Sequence, residues 1–129
     1  MLLNSDIEIT SEAVEYEVSE NFGGGTSLQG EIRTTYDVLR DLFGKPSYDT
    51  GDPNEKVQTE WCLEGKVFFT DEDGDQDYEY VKATVYNWKT GYTPIGEYNW
   101  HIGGHGYEAV ELVTAILEGK VKPWYNLGD

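Results

Sequence analysis

One cysteine, four prolines and no long apolar run are what this chain of 129 residues has least of. Cys62 has no partner for an internal disulfide, and a lone thiol in an apolar stretch behaves as a small buried hydrophobe, which fits a reducing compartment. No stretch reaches the roughly 18 apolar residues of a membrane-spanning helix. Residues 1–6 place no basic residue ahead of an apolar segment, so no secretory signal is expected either. A cytoplasmic protein is the expectation. Positive charge is also scarce: nine Lys and Arg stand against 25 Asp and Glu, for a formal net charge of −16. Such a field repels phosphate, disfavours direct binding to DNA, RNA or an anionic membrane, and attracts a basic partner surface.

Aromatic residues are plentiful, with ten Tyr and four Trp, which argues against disorder. A chain of this length buries about two-thirds of its unfolded surface, enough for a core without metal or disulfide. No repeat, Pro-rich linker or composition shift divides it, so residues 1–129 read as one domain.

The pattern of elements points to α+β. Residues 13–19 alternate Val14, Tyr16 and Val18 with Glu15 and Glu17, the period of a half-buried strand, although Val14 and Val18 would also share a helical face. A glycine-rich loop leads to a short extended stretch at 28–33. Thr34 then offers an N-cap, with Asp37 three residues on, for a helix carrying Val38, Leu39, Leu42 and Phe43 on one face and ending at Gly44 and Pro46. Residues 57–69 and 78–88, rich in β-branched and aromatic side chains, form a hairpin with an acidic tip. A further strand at 97–102 alternates Tyr98, Trp100 and Ile102 with Asn99 and His101. Residues 103–106 then turn the chain into a helix over 107–118, capped by Gly119. The order β-α-β-β-β-α implies an antiparallel sheet of about four strands with two helices packed on one face.

Metal and nucleophile chemistry find little support. Read as an EF-hand from Asp71, the acidic tip has Gln76 where Gly is needed and Lys82 where Glu is needed; read from Asp73 it has Tyr78 and Thr84. The zinc-type donors are Cys62, His101 and His105, and the glycines between the two histidines keep them off a common helical face. No Gly-x-Ser-x-Gly element exists, and with 25 carboxylates a catalytic pair can always be picked. A non-enzymatic protein without metal or cofactor is expected.

Two constellations carry binding chemistry. Residues 1–31 contain seven acidic residues and no Lys or Arg. Glu15 and Glu17, two apart on a strand, would point the same way at a spacing of roughly 6.6 Å, similar to successive phosphates of a nucleic-acid strand. A basic partner would therefore contact Glu15, Glu17 and Glu20, with Asp71, Glu72, Asp73, Asp75 and Asp77 of the hairpin tip as a second contact. The alternative is a small-anion or nucleotide site where a strand ends in glycines before a helix N-terminus: Trp100, Gly103, Gly104, His105 and Tyr107. The same glycines would also serve a tight strand-to-helix turn needing positive φ.

Several blocks resemble a family of small proteins encoded by bacteriophages and prophages: Gly25-Thr26-Ser27-Leu28-Gln29-Gly30, Thr35-Tyr36-Asp37-Val38-Leu39 with Leu42-Phe43-Gly44-Lys45-Pro46, Glu60-Trp61, Ala83-Thr84-Val85-Tyr86-Asn87-Trp88-Lys89, and Trp100-His101-Ile102-Gly103-Gly104 with Ala109-Val110-Glu111-Leu112. The resemblance supplies no catalytic residues. It implies a context, because small acidic phage proteins often resemble inhibitors of host or defence machinery, including anti-CRISPR and anti-restriction proteins that imitate DNA, while another phage group sequesters nucleotide signals. The expected function is accordingly a phage-encoded inhibitor that blocks a nucleic-acid-handling protein through an acidic, DNA-mimicking surface, with a nucleotide sponge as the alternative.

Overall fold

The computed structural model describes residues 14–20, 25–70, 72–119 and 122–123. The chain runs β1 (Val14–Ser19), β2 (Ser27–Thr34), α1 (Tyr36–Phe43), β3 (Tyr48–Asp49), β4 (Thr59–Thr70), β5 (Gln76–Tyr86), β6 (Tyr98–Gly104), α2 (Glu108–Leu117) and β7 (Lys122–Pro123). The strands form one sheet in the order β2-β6-β5-β4-β1-β7, with β3 added to β4. Every pairing is antiparallel except β1 with β7. The α+β class holds, but the sheet is larger than the expected four strands. The stretch at 28–33, left out of the expected order, belongs to a full strand, β2, while β3 and β7 are two-residue additions.

Alternation along each strand sorts side chains onto two faces. Tyr16, Trp61, Leu63, Val81, Ala83, Val85, Trp100 and Ile102 point inward and meet Leu39 and Phe43 of α1 and Ala109, Leu112, Val113 and Ile116 of α2. Both helices therefore contribute to one core on one side of the sheet. Trp61 is its hub: its ring lies 5.7 Å from Trp100 and 6.3 Å from Phe43, and its indole N–H donates to the Gly44 carbonyl at 3.0 Å. The cap of α1 is Thr35 instead of Thr34, which closes β2; Thr35 Oγ1 accepts from the Val38 N–H at 3.3 Å.

The other face carries no helix among the described residues, and a bulge shapes it. Leu28 pairs with Gly103 and Gly30 with Ile102, so Gln29 is an extra residue in β2. That insertion turns Leu28 away from the helices, whereas Gly30 faces α2 against Val110. Cys62 also lies on this side and is fully buried. No helix among the described residues is long and apolar enough to cross a membrane.

Candidate functional site

The N-terminal carboxylates do not sit on a free edge, because β1 is flanked by β4 and, at Glu15 and Tyr16, by β7. In register, Glu15 lies between Lys66 and Lys122, and Glu17 lies opposite Glu64. Ser19 Oγ donates to Glu64 Oε2 at 2.8 Å. Glu20 is exposed just beyond the strand. At the hairpin end Glu72, Asp73, Asp75 and Asp77 are all exposed, and Gly74 takes the positive φ of 82° that the turn requires. Asp71 lies outside the described residues. Since Glu17 is level with Glu64, it stands about 20 Å along β4 from the hairpin end, so the two acidic contacts are separate patches.

The glycine-rich alternative is dispersed. Trp100 is 0% exposed and wedged between Trp61 and Tyr98 in the core, which removes it as a stacking surface. Gly103 and Gly104 are the last residues of β6, not a turn, and neither has positive φ. Their missing side chains serve close packing instead. A Cβ on Gly104 would collide with Ala109 of α2, and one on Gly103 would stand 2.5 Å from Thr84 Oγ1 on the opposite face. Gly104 and Trp100 thus look toward the helices while Gly103 looks away. His105 and Tyr107 are exposed in the turn before α2, where Tyr107 occupies the N-cap position without a side-chain cap bond. Ser27 of β2 pairs with Gly104, but the five residues form no common site.

The helix-free face holds a group that chain order hides. Pairing aligns Tyr48, Glu60, Tyr86, His101 and Glu31 in one cross-strand row through β3, β4, β5, β6 and β2. At about 4.8 Å per strand, Glu60 and Glu31 are roughly 14 Å apart with the phenol and imidazole between them. His101 Nε2 lies 3.1 Å from Glu31 Oε2, and its ring is 5.5 Å from that of Tyr86. Glu60 has no hydrogen-bond or ion-pair partner among the described residues, and burial holds its carboxyl above the ordinary 4.5. Burial, then the nearby Glu60 and Tyr98, likewise raise the Tyr86 phenol.

Over this row lies a groove of about 450 Å³ bounded by Leu28, Val57, Glu60, Tyr86, Trp88 and His101, with Thr26 and Ser27 at one end. Lys56 Nζ and Lys89 Nζ stand 5.9 and 5.6 Å from the centre of the Trp88 ring. Lys89 is the one described non-glycine residue with positive φ, 57°, and its N–H donates to the Lys56 carbonyl at 2.7 Å. Thr84 Oγ1, two residues before Tyr86 on the same face, is buried without a hydrogen-bond partner. No group of three or more His, Cys, Asp or Glu among the described residues is arranged to hold a metal ion. Sequence reading named Trp100 and passed over Trp88, Tyr86 and Glu60, because only strand pairing brings positions 28, 60, 86 and 101 together. The apolar–polar alternation through Tyr86 and Trp88 was the available signal.

Compared with protein-family models, curated proteins and solved structures, the chain matches none.

Proposed function

We propose that this protein is a non-enzymatic, phage-encoded inhibitor that binds the basic surface of a nucleic-acid-handling host or defence protein in the bacterial cytoplasm. The observation that carries this reading is the exposed acidic end of the β4–β5 hairpin. Among the described residues, β1 accompanies β4 as far as Val67 and β6 accompanies β5 from Ala83 onward, while β4 and β5 pair with each other out to Thr70 and Gln76. Glu72, Asp73, Asp75 and Asp77 are exposed there, and no Lys or Arg occurs between Lys66 and Lys82. An exposed acidic hairpin end of this kind suits a basic surface that normally takes a phosphate backbone. Glu17 and Glu20 form a second patch.

The test is capture of a bacterial nuclease or other DNA-binding protein by the full chain, followed by competition with duplex DNA. Binding should fall steeply between low and high salt, and DNA should displace the inhibitor. The charge-neutral variant Glu72→Gln/Asp73→Asn/Asp75→Asn/Asp77→Asn should lose capture while remaining folded. Capture that survives both DNA competition and this variant would show that the hairpin end imitates no phosphate backbone.

A further inference from the structure

We infer that the groove over β5 and β6 is a binding site for a single nucleotide, with the base held against Leu28, Tyr86 and Trp88 and the phosphate at Lys56 and Lys89. This inference goes beyond the inhibitor reading, and uses residues about 33 Å along the hairpin from its acidic end.

The groove offers such a ligand an apolar wall and a carboxylate, with two lysines beside its Trp88 edge. Its volume of about 450 Å³ lies within the range of small-molecule sites. Its walls combine one aliphatic side, Leu28, with the edge-to-face pair Tyr86 and Trp88, whose rings are 6.2 Å apart. Leu28 is there only because of the bulge at Gln29, and bulges of this kind commonly re-aim a side chain beside a functional site. Trp88 is 40% exposed, although an indole of that size would ordinarily be covered.

The polar groups lack partners that a base would supply. Among the described residues, the Glu60 carboxyl has no hydrogen bond or ion pair and the Tyr86 hydroxyl makes no hydrogen bond. An ionised carboxylate only accepts, so Glu60 selects a base edge offering N–H donors. Guanine presents two such donors side by side, at N1 and at the exocyclic amine. Phosphate needs cations, and two of the chain's nine basic residues stand at the same tryptophan, one of them held in a left-handed backbone conformation.

The rival occupants fit less of this. An organic cation would use Glu60 and the aromatic rings but would meet two ammonium groups at Trp88. A nucleic-acid strand would have to cross Glu17, Glu31 and Glu64 on the same face.

The experiment titrates the full-length protein with GMP, AMP, CMP, UMP, guanosine, inorganic phosphate and choline, reading tryptophan fluorescence and thermal stabilisation. GMP should bind tightest, with guanosine about tenfold weaker for want of the phosphate contacts. Glu60→Gln, which keeps the shape of the side chain, should weaken GMP about tenfold by replacing one acceptor with a donor. Lys56→Ala with Lys89→Ala should abolish the difference between GMP and guanosine, whereas Glu72→Gln should change nothing. Absence of any nucleotide effect at about 5 mM would overturn the inference. So would an equal response to phosphate alone, tighter binding of choline, or unchanged GMP affinity in both Glu60→Gln and Trp88→Ala.

Discussion

Replacing Asn87 by Ala should cost about 3–4 kcal/mol of folding stability, because its side chain is fully buried and is the hub of the loop that carries Trp88 and Lys89. Asn87 Oδ1 accepts from the Gln58 and Thr59 N–H groups at 2.9 and 3.0 Å. Its Nδ2 donates to Gln58 Oε1 and Thr90 Oγ1, each at 2.7 Å, and to the Tyr92 carbonyl at 3.3 Å. The Gln58 amide cannot turn to compensate, since its Nε2 already donates to the Asp52 and Glu55 carbonyls at 3.0 and 2.7 Å. The substitution therefore strands two buried N–H groups and one amide oxygen, at about 1–3 kcal/mol each. The lower end applies, because a groove of about 420 Å³ beside Gln58 and Tyr92 admits water. Urea denaturation, with m unchanged and the midpoint lowered, is the assay. Asn87→Asp sharpens it. One oxygen still serves the two N–H groups, while the other faces Gln58 Oε1 and the Tyr92 carbonyl and must carry a proton to be tolerated. Its folded pKa is then raised above the unfolded value of about 3.9, so this variant should lose stability relative to the parent as pH rises through the folded pKa. A cost below about 1 kcal/mol for Asn87→Ala, or parallel pH profiles for Asn87→Asp and the parent, would refute this accounting.

Gly104→Ala should destabilise by about 1–3 kcal/mol, because the new methyl meets Ala109 Cβ and the Lys82 carbonyl. Adding Ala109→Gly should recover part of that loss, and a double-mutant cycle with no coupling would exclude the proposed collision. Glu60→Gln should flatten part of the pH dependence of stability: with its folded pKa raised by burial, Glu60 makes the parent lose stability as pH climbs from about 4.5 through the raised value, and Gln removes that contribution. Titrations of both proteins across that interval should diverge, and superimposable curves would count against a desolvated carboxyl. The Cys62 thiol should react with a disulfide reagent only on unfolding, as full burial denies access; rapid modification of the native protein would contradict its placement.

What could be read in the sequence was what is local. α1 announced itself by a threonine cap, an apolar stripe and Gly44, and the expected cap missed by one residue because Thr34 and Thr35 are both capable and β2 claims the first. The β4–β5 hairpin and α2 were legible from alternation and from Gly119, whose φ of 77° suits a helix end. The glycines of β6 misled, because Gly is read as a turn whenever positive φ is assumed, whereas Gly103 and Gly104 are extended and are small so that Thr84 and Ala109 can approach. β7 lies near the C-terminal end of the chain, so nothing local marks β1 as an interior strand. The row from Tyr48 to Glu31 needs four pairings between positions as far apart as 31 and 101. The bulge that presents Leu28 rests on one unpaired residue, Gln29, with no turn chemistry to betray it.

Net charge bears on the proposed nucleotide site in a related way. A charge of −16 argues against any phosphate ligand only if the field is uniform over the molecule. At about 33 Å in water, the distance from the hairpin end to Glu60 and Tyr86, two unit charges interact by roughly 0.1 kcal/mol before screening. At physiological salt, with a Debye length of about 8 Å, almost nothing of that remains. A lysine about 4 Å from a phosphate contributes about 1 kcal/mol in bulk water and more where the site is partly desolvated. Of the nearer carboxylates, Glu31 is engaged by His101. Under the two proposals, the local cations at Trp88 would set what the groove tolerates, and the acidic hairpin would set what the molecule attracts from a distance. The two proposed binding modes should differ in their salt dependence: capture through the hairpin should collapse as ionic strength rises, while a single nucleotide held by stacking, the Glu60 carboxyl and two lysines should be affected much less.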